Sequence, residues 1–134
     1  MTVPAYDYDA PLADERDDWK RGGLHFHCYM ARMTSDSYGN EGQRRDLSSP
    51  LPPRVIREWL QKPQSALLLT PATPEDAVDW LRTQWQPHGD RDEAHYARAL
   101  HDLRCGNDVL WGEWINAASQ HLHTAIVGTN QGCH

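Results

Sequence analysis

At 134 residues the chain has the length of one domain, and its 39% apolar content, six Trp included, is enough for one core. The formal charge of −6, with no basic cluster larger than Arg44-Arg45, opposes a phosphate backbone, so direct nucleic-acid binding is not expected. No unbroken apolar run is longer than Ala66-Leu67-Leu68-Leu69, and the acidic start lacks the basic flank and apolar stretch of an export signal, which points to a cytoplasmic protein with no membrane partner.

Residues 1–20 read as an acidic N-terminal arm anchored by Trp19, residues 21–128 as a single domain and 129–134 as a loose tail. After Gly22-Gly23, the segment LHFHCYMARM alternates with a period of two. Leu24, Phe26, Cys28 and Met30 fall on one face and His25, His27, Tyr29 and Ala31 on the other, as in a half-buried strand. Residues 34–50 are polar, without periodicity, and contain two glycines, which predicts either a solvated connection or a lid carrying Tyr38, Glu41, Arg44 and Arg45. Pro52-Pro53 suits a first helical turn, and Val55, Ile56, Trp59 and Leu60 recur at helical spacing until Pro63. Ser65 to Thr70, closed by prolines at both ends, reads as a short buried strand.

The strongest helix start is Thr73 as N-cap with Pro74 behind it and Glu75 and Asp76 in the first turn, followed by an inner face of Ala77, Val78, Leu81 and Trp85. A second helix is expected from Asp90, where Asp90 and Glu93 have capping-box spacing; Tyr96, Leu100 and Leu103 form its stripe, and Gly106 ends it. NDVLWGEWI and QHLHTAIVG are β-rich runs joined by Asn116-Ala117-Ala118-Ser119, a terminal hairpin with a four-residue loop. The order of elements predicts an α+β fold, with a mixed or mainly antiparallel sheet of about four strands and about three helices on one face.

Phosphate-loop, dinucleotide-binding, nucleophile-elbow, zinc-protease and calcium-loop patterns are all missing. Cys28, Cys105 and Cys133 are odd in number without CxxC spacing, which suits reduced thiols rather than disulfides or a cysteine zinc site. The distinctive feature is a repeated HxH, His25-x-His27 on the first strand and His121-x-His123 on the last. On a strand, residues i and i+2 share a side, so adjacent strands in the right register could bring these four imidazoles together around a divalent metal such as zinc, with Glu113 as an alternative fourth donor. That would make a small metal-dependent enzyme of hydrolase or lyase type.

The competing expectation needs no chemistry. With Leu122 and Ile126 turned to the core, the histidines stand half-exposed on an outer sheet face that also carries Tyr29, with Trp111 and Glu113 together on one side of the hairpin. Such a face suits a protein partner or a homo-oligomer, and a non-catalytic binding protein is the first reading. A ligand pocket between sheet and helices is a third. Eight histidines would carry the formal charge from −6 to +2 if all were protonated, so acid is expected to weaken any contact on that face.

Overall fold

The computed structural model describes residues 17–89, 91–115 and 120–131. Most of the N-terminal arm, Asp90, the 116–119 loop and Cys133 lie outside them. Four strands, β1 (His25–Met33), β2 (Leu67–Leu69), β3 (Val109–Ile115) and β4 (Gln120–Thr129), form one antiparallel sheet in the order β2-β1-β4-β3. The helices are α1 (Asp18–Arg21), α2 (Ser35–Tyr38), α3 (Glu41–Arg45), α4 (Pro74–Trp85) and α5 (Glu93–Arg104). The fold is α+β, as the element order predicts. Among the described residues no helix is long and apolar enough to cross a membrane.

The long central pair sets the geometry. β1 and β4 match His25 with Thr129 through to Met33 with His121, and paired residues share a face. Phe26, Cys28, Leu122, Ile126 and, from β3, Val109 therefore project together against Ala77, Leu81 and Trp85 of α4 and Tyr96, Ala99 and Leu103 of α5, forming the larger core. Trp19 joins its edge with its ring 6.0 Å from that of Phe26, which ties α1 to the sheet. The indole of Trp85 is buried, and its N–H donates to Thr124 Oγ1 at 2.9 Å, so the polar end of a large apolar group is satisfied inside the core. Burial drives the Cys28 thiol up to about 12, which makes it an unreactive packing group.

α4 starts where the sequence places it, with Thr73 accepting a hydrogen bond from the Asp76 amide. Replacing Thr73 by Ala should cost about 1 kcal/mol in a denaturant melt without changing the slope of the transition. The N-cap of α5 is Asp92, which accepts from the His95 amide, rather than Asp90: the helix begins nearer its apolar stripe than the capping-box spacing suggests. Gly106 follows the end of α5 at φ +84°, a conformation that strains any residue with a Cβ.

The second face of the sheet is not open. The segment expected to be a solvated connection folds into α2 and α3, and the expected helix after Pro52-Pro53 is a 3-10 helix, Ile56–Gln61, in which Trp59 is wholly buried while Val55 stays outside. These pieces cover the sheet and form a smaller core of Tyr29, Trp59, Ala125 and Val127, so the helices expected on one face are a helical layer on one side and an irregular cover on the other. Two buried cations hold the cover by capturing main-chain oxygens. Lys62 Nζ donates to Gln43 O and Asp46 O at 3.2 and 2.7 Å, and Arg44 donates through Nε to Pro52 O and through Nη1 to Tyr38 O at 3.0 and 3.1 Å. Carbonyls without a partner near the end of a helix suit such donors.

Candidate functional site

Strand parity puts His25, His27, Tyr29, His121 and His123 on the covered face, but the register divides the histidines. His27 stands opposite Val127 and His123 opposite Ala31, four residues apart along β1, a separation of roughly 13 Å at strand rise. Neighbouring antiparallel strands that each carry HxH near their own start hold the pairs at opposite ends of the sheet. Among the described residues, no three His, Cys, Asp or Glu side chains come together to hold a metal ion.

The first pair belongs to a directed chain of hydrogen bonds. The Gln64 amide nitrogen lies 3.0 Å from Trp59 O and 2.6 Å from Lys62 O, and since carbonyls only accept, the amide oxygen faces Tyr29, whose hydroxyl donates to it at 2.9 Å. The Tyr29 oxygen then accepts from His27 Nδ1 at 3.1 Å, which leaves His27 Nε2 as the acceptor for His25 Nε2–H at 3.0 Å. His27 is thereby fixed as a neutral ring, and burial, with His25 beside it, lowers its affinity for a proton.

The second pair sits in an aromatic setting. Trp59 stacks on Tyr29 with ring centres 4.7 Å apart and planes within 9°, and its N–H donates to His123 Nε2 at 3.3 Å. An indole only donates, so the proton of neutral His123 stands on Nδ1. Burial, followed by the Arg44 and His121 charges, pushes the His123 imidazole down to about 3, and burial and Arg44 lower His121 as well. The His121 ring lies 4.7 Å from that of Tyr38 and 5.2 Å edge-on from that of Trp114. Gly112 makes room for it: a Cβ there would come within 2.6 Å of His121 Cε1. Of the four histidines expected to be half-exposed, His27, His121 and His123 are interior groups, only 6%, 8% and 4% exposed, and His25 is half-buried as expected.

The expected binding residues separate. Tyr29 is on the histidine face but fully buried. Trp111 pairs with Thr124 and Glu113 with Leu122, which puts both on the helix side, because these β4 residues face α4 and α5. There Arg91 lies 4.8 Å over the Trp85 and Trp111 rings and donates to Glu113 at 3.2 Å. The β3 residues that share the histidine face are Leu110, Gly112 and Trp114. Sequence reasoning assigned no role to Trp59 beyond an apolar stripe, and Gln64 gave no signal at all. Arg44 and Tyr38 stood in the lid alternative, and both lie against the sheet.

Two clefts flank β3. One, about 500 Å³, lies on the helix side between Arg91, Arg98, Asp102, Asp108 and Trp111, where charges of both signs line the walls. The other, about 360 Å³, opens on the histidine side between Tyr38, Arg44, Pro53, Arg54, Leu110 and His121. Compared with protein-family models, with curated proteins and with solved structures, the chain matches none.

Proposed function

We propose that the chain acts without catalysis, by binding a protein partner through the β3 margin of the histidine face, with a second copy of the chain as the first occupant to test. The observation that carries this reading is the exposure of Leu110 and Trp114, 51% and 38%, on an edge strand of the sheet. His27, Tyr29, His121, His123, Ala125 and Val127 of that face are buried, so these two large apolar side chains are what its β3 margin offers to a partner. Trp is enriched among residues that dominate interfaces, and an edge strand adds a row of main-chain donors and acceptors to which a second strand can pair. The metal-dependent alternative, a hydrolase or lyase built on the paired histidines, has no specific observation in its favour.

Sedimentation velocity of the full chain from micromolar to near-millimolar concentration tests this. The expected result is a mass that rises with concentration in the wild type and stays monomeric in Trp114→Glu. A wild type that remains monomeric throughout removes self-association, and association that Trp114→Glu leaves unchanged places the contact elsewhere.

A further inference from the structure

The cleft on the histidine side contains a buried charge that, among the described residues, no carboxylate pairs directly. Arg44 is 5% exposed, and among the described residues no carboxylate lies within ion-pair distance of it. Of the acidic residues nearest in sequence, Asp46 accepts from the Ser48 amide and hydroxyl at 2.9 and 2.7 Å, and Glu41 is engaged by Arg54 at 3.2 Å and Arg45 at 3.6 Å. The two carbonyls that hold Arg44 use Nε and one hydrogen of Nη1, which leaves the outer edge of the guanidinium with hydrogens to donate. A buried cation held by two carbonyls and the Tyr38 ring 5.1 Å away, with Glu41 acting on it only from beyond ion-pair distance, is costly, and an anion delivered to it recovers much of that cost.

The surroundings fit such a visitor. Arg54 adds a second positive group at the same cleft, and His121, a further wall, leaves Nδ1 without a hydrogen-bond partner, one of the two buried side-chain atoms so placed among the described residues. The Tyr38 ring, Pro53 and Leu110 supply apolar surface, and about 360 Å³ is within the range of small-molecule sites. The larger cleft beside α5 lacks this imbalance, since Asp102 and Asp108 face its arginines.

We infer that the Arg44 cleft is a binding site for a small organic anion, its carboxylate or phosphate at the Arg44 guanidinium and its apolar part against Tyr38, Pro53 and Leu110. The cleft shares Leu110 with the protein contact proposed above but rests on a different observation, the buried Arg44, and does not depend on that contact.

Calorimetric titration of the full chain with inorganic phosphate and with benzoate, at constant ionic strength in chloride, tests the inference. Saturable binding of at least one anion is expected. Saturation by phosphate alone identifies a phosphoryl ligand, and saturation by benzoate alone identifies a carboxylate. Arg44→Met should weaken binding by about tenfold or more, the scale of one charge-assisted pair. Because Arg44 also ties down the cover, Leu110→Glu supplies a second variant: this half-exposed position can accept a carboxylate without disturbing the core, and the new acid should compete for Arg44 and weaken binding to a similar degree. Failure of both anions to saturate the wild type overturns the site, as does unchanged affinity in a folded Leu110→Glu protein.

Discussion

Replacing Trp59 by Ala should remove about 3 to 5 kcal/mol of stability, the range for deleting a buried aromatic side chain. Trp59 is wholly buried, stacks on Tyr29, donates to His123 and belongs to the smaller core beneath the cover. Its loss therefore opens a cavity and leaves the His123 Nε2 acceptor without its donor at the same time. Domains of this size have about 5 to 15 kcal/mol in total, so the variant should sit close to unfolding at ordinary temperature. Trp59→Phe retains much of the stacking surface and loses the N–H, so it should cost about 1 to 3 kcal/mol, mainly for the unsatisfied nitrogen. Urea melts of the two variants measure both, and a loss below about 1 kcal/mol in Trp59→Ala would show that the cover contributes little to folding.

Mild acid should destabilise the fold before any carboxylate is protonated. His123 binds a proton only near pH 3 in the folded chain, and His27 and His121 are also held below the ordinary imidazole value. The unfolded chain takes up these protons at about 6.5, so stability is complete above that value and is lost as pH falls toward the folded pKa. Each such histidine costs at most about 1.4 kcal/mol per pH unit inside its window. Between pH 6.5 and 4.5, His123 alone should remove roughly 2 to 3 kcal/mol, and His27 and His121 act in the same direction. Carboxylates have ordinary values near ~4 and add little above pH 5, so the upper part of this window belongs to the histidines. Denaturant melts at intervals from pH 7 to 5 should show stability falling, with a shallower slope in His123→Gln. Stability flat across that range would contradict the burial of these rings. This also corrects the expected response of the contact face to acid: the affected property is folding, because His27, His121 and His123 do not lie on a surface where charge could accumulate.

Strand parity was legible because it needs only the period of two: Phe26 and Cys28 face one way, His25, His27 and Tyr29 the other. Register was harder, because it depends on which strands pair and in which direction. Antiparallel pairing of β1 with β4 sent the two HxH pairs to opposite ends. Trp111 and Glu113 do share one side of the hairpin, and which side is readable from the loop length. A four-residue loop between Ile115 and Gln120 pairs Glu113 with Leu122, so assigning Leu122 to the core already assigns Glu113 to the same side. The cover over the histidines was not readable in this way. Its attachment rests on Arg44 and Lys62 reaching main-chain oxygens, on one stacked Trp and on a 3-10 turn, none of which leaves a periodic pattern.

The most direct test of a buried, neutral His27 and His123 is the protonation state of the rings themselves, read from long-range proton–nitrogen correlation spectra of histidine-labelled protein between pH 7 and 5. His123 should show one neutral tautomer, protonated on Nδ1, with shifts that do not move across the range, and His27 should show the same tautomer. Titration of His123 near the ordinary imidazole value, in protein that remains folded, would contradict the buried Trp59–His123 contact and with it the covered face.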